Sequence, residues 1–427
     1  MKWGEGHGQS SFWTSSGKRI PTPLQVIAAR GFALHFAKMS HSLRPVPSTL
    51  SVDEEAPKRR RRGRVLRASV LAIASATLLI GGALIRRADS ADLQDVAREL
   101  FPAPSASFMD RLDVSVFQRG NLHTHSARTD GDSPAQVVID WYRTHGYQFL
   151  ALTDHNTYLD GARPPEVQDH DFVVIPGEEI TMVAAMQPVH VNAICTKERI
   201  GGGTFRTPGA ALAWATAKIL AQDGVAIVNH PNFHWALDPE HIAEAKGAQL
   251  LEIWSGHPHV RSDGDEGHAS AEAKWDQVLS SGRSIAAVAV DDMHALTGLN
   301  KNVPQAPPGV AWVEVFAEET SQEAICEALA AGKLYASAGP RITHLGVGDD
   351  RFTLDVETPE LKVEFLDHGG QLLASEQPEA VEDSGDDEAR PVYRASYRLN
   401  GTERFVRARL TAPDGKRAWT QAYWVAR

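Results

Sequence analysis

Short apolar runs alternate with helical segments from about Asn121 onward, a pattern typical of parallel strands joined by helices. The apolar runs predict strands at Asn121–Ser126, Gln148–His155, Asp171–Thr181, His190–Ile194, Gly224–His230, Gln249–Ser255 and Ser284–Asp292, with an eighth at Ala311–Phe316. Capping residues and helical spacing predict helices from Ser133-Pro134 to Gly146 and at Thr207–Gln222, Ser270–Ser281 and Thr320–Ala331. Seven or eight such units predict an α/β fold with a barrel.

The polar residues of this region fall at the ends of the predicted strands. Nearly every strand is apolar through its middle and ends in His, Asp or Glu. In a β/α barrel the active-site residues come from the carboxyl ends of several strands, whereas an open doubly wound sheet concentrates them at one switch point. The pattern therefore favours a barrel with its chemistry at one end.

The pattern changes after Gly339-Pro340, where alternating segments predict a small β-sandwich-like domain at residues 341–427. Strands are predicted at Arg351–Val356, Leu361–Phe365 and Phe405–Leu410, and Asp414-Gly415 predicts a hairpin turn into Ala418–Val425. The acidic insert Glu376 to Glu388 is interpreted as a solvated loop and receives no function.

The N-terminal region has a different character. A basic cluster at Lys58–Arg64 precedes an uncharged apolar run, Ala68–Ile85, and two arginines end it, so residues 58–90 are predicted to form a membrane anchor or signal segment. The anchor is favoured, although Ala88-Asp89-Ser90 offers a cleavage site. The excess of positive charge on its N-terminal side predicts an extracytoplasmic catalytic region, on the periplasmic or outer face. Residues 1–57 are predicted to be disordered, with Met39 as an alternative start.

The amino-acid composition limits the classes of partner and of metal site that this chain is expected to have. A net charge of −11 argues against a nucleic-acid partner and favours a small-molecule substrate. The two cysteines, Cys195 and Cys326, exclude a cysteine-rich zinc site and leave one disulfide or two free thiols open. Most of the 18 histidines lie between His123 and His294, so the chemistry is expected there.

Several motifs of that region carry metal-ligand chemistry. His123 and His125 lie two residues apart, which on a strand places both imidazoles on one face. Asp154 and His155 point to opposite sides, so one is expected to bind metal and the other to orient it. A single histidine is more often structural than a ligand, but independent structural histidines have no reason to end six successive strands. The remaining candidates are Asp130, Glu178 or Glu179, His190, His230, Asp292 and His294.

Together these motifs resemble the PHP (polymerase and histidinol phosphatase) superfamily of metallohydrolases over residues 118–340. The matching pieces are His-Thr-His-Ser with Thr-Asp-Gly at 123–131, Leu-Thr-Asp-His-Asn at 152–156, Pro-Gly-Glu-Glu-Ile-Thr at 176–181, His-Val-Asn-Ala at 190–193, Asn-His-Pro at 229–231 and Asp-Asp-Met-His at 291–294. The resemblance implies a distorted (β/α)7 barrel. Further runs at Glu252–Pro258, Trp275-Asp276 and Tyr335–Pro340 resemble a secreted or membrane-associated, carbaryl-hydrolase-like branch.

The resemblance also implies two or three divalent ions, of zinc, manganese or iron. Its pattern assigns one ion to His123, His125, Glu179 and Asp292, a second to Glu179, His190 and His230, and a third to Asp130, His155 and His294. The family's Gly-x-Glu spacing selects Glu179 over Glu178. The family often has His where this chain has Asp130, so the third position is expected to be weaker or differently loaded.

The hypothesis for function is hydrolysis of a phosphoester by a metal-bridging hydroxide. Asp154, His257 and Arg128 are the candidate catalytic and substrate-contacting residues. A carbamate, ester or amide hydrolase with the same metals is the first alternative, and a non-catalytic metal-binding domain on a membrane anchor is the second. The acidity and the membrane segment disfavour a proofreading exonuclease.

Overall fold

The computed structural model describes residues 106–159, 171–298, 305–381 and 391–426, and these belong to one compact unit. The predicted disordered region at 1–57 and the predicted membrane segment at 58–90 lie outside the described residues. Within the described part of the chain, no helix is both long and apolar enough to cross a bilayer.

Every predicted site residue lies in the chain before residue 340, within its strands or in the segments that follow them. The strands are β1 (Ser107–Phe108), β2 (Leu112–Val114), β3 (Gln118–Asn121), β4 (Phe149–Ala151), β5 (Val173–Ile175), β6 (Gly177–Ala184), β7 (Gln187–Ile194), β8 (Thr204–Phe205), β9 (Val225–Val228), β10 (Leu250–Ser255), β11 (Ala286–Val290), β12 (Trp312–Val315) and β13 (Leu334–Ser337). The helices are α1 (Ala135–Thr144), α2 (Pro208–Leu220), α3 (Pro239–Glu244), α4 (Ala271–Ser280) and α5 (Gln322–Ala330). A short 3₁₀ turn, Phe233–Trp235, follows β9.

The rest of the described chain forms strands and one further 3₁₀ turn at His368–Gly370. These strands are β14 (Ile342–Val347), β15 (Arg351–Val356), β16 (Lys362–Asp367), β17 (Gln371–Glu376), β18 (Glu379–Val381), β19 (Val392–Arg398), β20 (Phe405–Thr411), β21 (Arg417–Trp419) and β22 (Tyr423–Ala426).

The strands that carry the site belong to two sheets of a mixed α/β fold, the class predicted from the sequence. One sheet has the order β11-β10-β9-β7-β6-β8, and the other contains the run β13-β12-β3-β4-β5. Parallel ladders join β3 to β4, β4 to β5, β9 to β10 and β10 to β11. Among the described residues, isolated bridges link segments of the two sheets, Thr124 to Met293, His155 to Glu179 and Leu159 to Gly177, and a closed barrel stays a prediction.

One predicted strand and its neighbour differ from the sequence-based expectation. Asp171–Thr181 was expected to form one strand, but Pro176 separates β5 from β6, because proline has no N–H to donate to a ladder. β6 then turns directly into β7 as an antiparallel hairpin and not through a helix. The hairpin turn places Ala185 at φ 49° and Met186 at φ 66°, so no glycine marked it in the sequence.

Thr207 and Ser270 cap helices as predicted, whereas the helix predicted from Thr320 is capped by Ser321 and α1 begins after Pro134 without a side-chain cap. The side chains of Thr207, Ser270 and Ser321 accept hydrogen bonds from the third residue beyond each of them, at the starts of α2, α4 and α5. The short helix α3 was not predicted, although Asp238 and Pro239 form a recognisable start.

The strands after residue 340 pack around a second apolar core that includes Phe352, Phe365 and Val406. The predicted hairpin turn at Asp414-Gly415 joins β20 to β21, whereas the predicted strand Ala418–Val425 is divided between β21 and β22. β21 also pairs with β13, and β2 pairs with β14. The C-terminal strands therefore extend the sheet that holds β3 and β4, and a domain boundary at residue 340 stays a prediction.

The two cysteines form a disulfide, an outcome that the sequence left open. Cys195, directly after β7, is bonded to Cys326 in α5, and their Cα atoms are 6.0 Å apart. The bond closes a loop with a sequence separation of 131 residues, which includes the segments that carry His230, Asp292 and His294.

Candidate metal centre

The first and last motifs of the site lie side by side because their backbones pair beyond the strand ends. His125 N–H donates to the carbonyl of Met293 at 2.9 Å, and Asp292 N–H donates to the carbonyl of His123 at 3.0 Å. These segments directly follow β3 and β11. The isolated bridge between the sheets therefore brings the His-x-His motif onto the Asp-x-His motif.

A second bridge places the middle motifs beside the first pair. Asn156 N–H donates to the carbonyl of Glu179 at 2.8 Å, and Glu179 N–H donates to the carbonyl of Asp154 at 3.3 Å. The segment after β4 thereby lies along the start of β6. His155 and Glu179 face the same space as a result, with 2.9 Å between His155 Nδ1 and Glu179 Oε2.

The structure brings all nine predicted ligands together in four overlapping groups whose donor atoms lie within 4.8 Å of one another. The groups are His125, Asp130, His155 and His294; His123, Glu179 and His230; His123, His125 and Asp292; and His155, Glu179 and His190. The grouping differs in detail from the three implied positions. Glu179 is grouped with His230 and, separately, with His190, while His125 also joins the Asp130 group.

Glu179 is the centre of the cluster and is 1% exposed. Its two carboxylate oxygens lie 2.9–3.4 Å from nitrogens of five histidines: Oε2 faces His123, His125 and His155, and Oε1 faces His190 and His230. One carboxylate in contact with five imidazoles is suited to link two cations. The neighbouring Glu178 instead accepts hydrogen bonds from the backbone of Ile200 and Gly201, so Glu179 and not Glu178 lies in the cluster of predicted ligands.

Several ring nitrogens of the cluster are arranged to coordinate a cation and are poorly arranged to hydrogen-bond with neighbouring protein groups. The Nε2 atoms of His123 and His125 are 3.1 Å apart, although two neutral imidazole lone pairs cannot bond to each other. Nδ1 of His125 and of His190 are buried and face carboxylate oxygens, of Asp130 at 3.3 Å and of Glu179 at 2.9 Å, without forming a well-aligned hydrogen bond. Imidazole nitrogens and carboxylate oxygens in this arrangement can share a cation. In His294, Nδ1 is 2.9 Å from the carbonyl of Asp292, so Nε2 is available for coordination.

The carboxylates dominate the electrostatics of the cluster. Burial alone would lower the pKa of His123, but Asp292, Glu252 and Glu179 raise it well above its usual value. Burial likewise opposes charge on His155, yet Asp130 and Glu179 raise the pKa of His155 to about 10. In the absence of metal, protons on these histidines balance the buried carboxylates, and divalent ions would displace those protons on binding.

Among the described residues, the most exposed members of the cluster are Asp130, His155 and His294. The side chains of His123, His125 and Glu179 are at most 1% exposed. By contrast, the side chain of Asp130 is 47% exposed and that of His155 is 27% exposed. A substrate would therefore approach from the side of Asp130 and His155.

The three predicted catalytic residues occupy different environments. Asp154 is fully buried and accepts from the backbone and hydroxyl of Ser126 and from the hydroxyl of Thr129, which fixes the loop that leads to Asp130. Arg128 is exposed and donates to the carbonyl of Tyr158 at 3.2 Å.

His257, the third predicted catalytic residue, lies at the rim of the cluster. Its ring centroid is 4.9 Å from that of His294, and its Nδ1 accepts from the backbone N–H of His259 at 3.3 Å. Burial, followed by the positive fields of His294 and other histidines, lowers the pKa of His257 to about 4. The ring is therefore neutral at pH 7 and carries its proton on Nε2.

Sequence reasoning missed two residues that orient the ligands. Glu252 is fully buried in β10; its Oε1 lies 2.6 Å from His123 Nδ1, and its Oε2 accepts from His230 N–H at 2.8 Å. Asn229 Nδ2 donates to Glu179 Oε1 at 2.8 Å. The signal for Glu252 was present in the sequence, since a lone carboxylate inside the apolar run of a central strand needs a partner.

Two of the ligands have a strained backbone. His230 has φ 20° and Asp292 has φ 50°, a region that residues other than glycine rarely adopt. Such strain occurs at functional sites when the surrounding structure enforces it. Here hydrogen bonds enforce it, from His230 N–H to Glu252 and from Asp292 N–H to His123.

Solved structures resemble this fold at low sequence identity. A two-domain protein from Bacteroides vulgatus that contains a predicted PHP-like metal-dependent phosphoesterase shares 17% identity, and the match covers 74% of this chain and 96% of that one at a TM-score of 0.38. A protein from Bifidobacterium adolescentis, proposed to be a metal-dependent phosphoesterase, shares 13% identity over 50% of this chain and 96% of that one, with a TM-score of 0.34. The chain resembles PHP-like proteins.

An amidohydrolase from Chromobacterium violaceum, solved with sulfate and no metal, shares 16% identity over 42% of this chain and 88% of that chain, with a TM-score of 0.31. No family model and no curated protein matches the sequence. Proteins described as PHP-like are thus among the solved structures that this chain is similar to, and the carbaryl-hydrolase-like branch stays a prediction. These TM-scores are below 0.5, so the chemistry of the site is inferred from this chain's own side chains alone.

Proposed function

We propose that the chain is a divalent-metal-dependent hydrolase that acts on phosphoesters. The observation that carries the proposal is the convergence of six histidines and three carboxylates on one partly open space. The buried ring nitrogens of His125 and His190, which face carboxylate oxygens without well-aligned hydrogen bonds, support occupation of that space by cations.

The ligand set suits more than one metal. His123, His125 and Asp292 would hold one ion, and the exposed group of Asp130, His155 and His294 another. Glu179 would serve a further ion with His190 and His230, as the family pattern implies, although the structure groups it with His155 and His190 and, separately, with His123 and His230. Imidazole and carboxylate ligation without thiolate is compatible with zinc, manganese or iron. When bound, such ions lower the pKa of a coordinated water from about 16 toward about 7 and neutralise charge on phosphoryl oxygens.

The protein's own residues position the reactants. Glu179 and its hydrogen bond from Asn229 hold the two sides of the cluster together, and Asp154 fixes the loop of Asp130. The Nε2–H of His257 would donate to a substrate oxygen at the rim, and the exposed Arg128, which donates to the carbonyl of Tyr158, would attract the phosphoryl group by its positive charge. In the overall reaction, a water oxygen bonds to phosphorus, the phosphorus–oxygen bond to the alcohol breaks, and the alcohol departs with a proton.

Turnover by metal-loaded protein tests this proposal. Purified protein loaded separately with zinc, manganese and iron would be assayed against phosphomonoesters, phosphodiesters and carbamate esters, with chelated protein as the control. We expect metal-dependent release of phosphate or alcohol from a phosphoester. Turnover of carbamates alone would replace the proposal with acyl hydrolysis by the same site, and no turnover with metals bound would favour a non-catalytic metal-binding domain.

We further propose that the catalytic region works outside the cytoplasm, anchored by residues 58–90. The disulfide between Cys195 and Cys326 supports this placement, because disulfides persist in oxidising compartments and are rare in the cytosol. Protease treatment of spheroplasts should digest the catalytic region. Protection of that region until the cells are lysed would contradict the proposal.

A further inference from the structure

One aromatic side chain stands against the metal cluster without belonging to it. The ring centroid of Phe233 is 5.8 Å from that of His190 and 5.3 Å from that of His230. Among the ring contacts of the described residues, Phe233 is the one phenylalanine, tyrosine or tryptophan that touches a predicted ligand. The histidine His257 is in contact with the far end of the cluster, beside His294, so Phe233 and His257 flank the centre from two sides.

The turn that carries Phe233 has an unfavourable backbone. His234 and Trp235 follow it with φ values of 51° and 56°, and His230, three residues earlier, has φ 20°. Such a backbone is unfavourable for residues other than glycine, so the surrounding structure must hold this turn in place. The cost is concentrated next to a ligand, where strain more often serves a site than a fold.

Two sets of contacts hold the turn. The side chain of Asn232 is fully buried and donates to the carbonyls of Arg261 and Ala269. Trp235 stacks on His268 with 3.9 Å between ring centroids and 5° between planes. The turn is therefore fixed to the loop that follows β10, and the position of Phe233 relative to His190 and His230 is set in advance.

The exposure of Phe233 is unusual for its position. The residue is only half-buried, whereas the two ligand side chains that it touches, His190 and His230, are 9% and 6% exposed. An apolar ring left partly in water beside a charged cluster is stabilised when a second apolar group covers it. Aromatic groups are well suited to this, since a pair of rings gains stability beyond the area that it buries.

We propose that Phe233 binds the alcohol part of the substrate and selects phosphoesters in which that part is aromatic. The inference rests on the proposed function, because it places the phosphoryl group at the cluster and the aromatic group on the Phe233 side. Phe233 is then a specificity-determining residue and takes no part in the bond changes.

The test compares two substrates that differ only in aromaticity. Benzyl phosphate and cyclohexylmethyl phosphate are both esters of primary alcohols, so the intrinsic reactivity of the leaving group is closely matched. The measured quantity is the ratio of kcat/KM for benzyl over cyclohexylmethyl phosphate, in the wild-type protein and in Phe233→Leu, Phe233→Tyr and Phe205→Leu. Phe205 is the control because its ring packs on Trp214 and touches no predicted ligand. Metal content is measured for each variant.

We expect Phe233→Leu to lower the ratio about 3- to 10-fold, the range that one aromatic pair contributes, mainly through KM for benzyl phosphate. Phe233→Tyr and Phe205→Leu should keep the wild-type ratio. An unchanged ratio in Phe233→Leu, or an equal loss for both substrates, would overturn the proposal and leave Phe233 as a shield for the histidines.

The proposal can also fail separately from the proposed function. If the wild-type protein hydrolyses neither ester, the same comparison is made by calorimetry with benzylphosphonate and cyclohexylmethylphosphonate, which contain a stable carbon–phosphorus bond. Preferential binding of benzylphosphonate that is lost in Phe233→Leu would support the aromatic site. Equal binding of both phosphonates, or no binding of either, would contradict it.

Discussion

Replacement of Glu252 by glutamine should weaken metal binding although Glu252 is not itself a predicted ligand. The two oxygens of this fully buried carboxylate serve two donors, the His123 ring at 2.6 Å and the His230 backbone at 2.8 Å. A glutamine of the same size has one acceptor oxygen, and its NH₂ group only donates. One of the two buried donors therefore loses its acceptor in Glu252→Gln.

The magnitude follows from that loss. A buried donor without an acceptor costs about 1–3 kcal/mol, and removal of a group that orients a metal-binding histidine lowers metal affinity about 10- to 100-fold. The loss should appear in metal binding because a coordinated His123 must keep Nε2 directed into the cluster, which fixes Nδ1–H toward position 252. We therefore expect the Kd for the tightest-bound ion to rise about 10- to 100-fold in Glu252→Gln.

The assay is competition with a fluorescent chelator, supported by the melting temperature of the metal-free protein. Glu314→Gln is a matched control, because Glu314 is also a buried strand carboxylate, 1% exposed, and accepts from the Trp312 indole at 3.0 Å. The control should be less stable than the wild-type protein but bind metal as tightly. Wild-type affinity in Glu252→Gln, or equal losses of affinity in both variants, would refute the reasoning.

Three further predictions concern pH, the disulfide and the rim of the cluster. The pKa of His155 is raised from 6.5 to about 10, so its charge stabilises the metal-free fold below pH 6.5, and this contribution disappears as the pH rises toward 10. The Tm of chelated protein should therefore fall between these two pH values. An equal fall in the Tm of metal-loaded protein would contradict this prediction. Replacing Cys195 and Cys326 by serine should lower the free energy of unfolding by about 2–4 kcal/mol, measured by urea denaturation, and unchanged stability would argue against the disulfide. His257→Ala should lower kcat for a phosphoester about 100-fold with metal content unchanged, whereas loss of metal would make His257 a structural support.

Much of the candidate site was predictable because its signals are local. His123 and His125 form a spacing that only a shared face explains, and Glu179 stands at the Gly-x-Glu position of a recognisable motif. The predicted ends of the strands were approximate, since the His-x-His motif lies just beyond β3 and not within it. The nine ligands still converge, because the segments that follow the strands are paired by backbone hydrogen bonds.

The rest depends on contacts between distant parts of the chain. The division of the predicted ligands into groups follows from the position of the loop that carries Asp130 and from the backbone pairing of Asn156 with Glu179. The spacing of residues along the sequence reveals neither contact. The β6–β7 hairpin was hidden because Ala185 and Met186 form its turn without glycine. The pairing of β21 with β13 joins segments about eighty residues apart, and such pairing is set by overall topology and not by local propensity.

Anomalous X-ray diffraction from crystals of the zinc- or manganese-loaded protein tests the central claim most directly. The account predicts at least two anomalous peaks inside the cluster, within roughly 2.0–2.3 Å of ring nitrogens such as His123 Nε2 and of oxygens of Glu179. Peaks that lie only at surface carboxylates, or no peak between His123 and Glu179 at saturating metal, would contradict it.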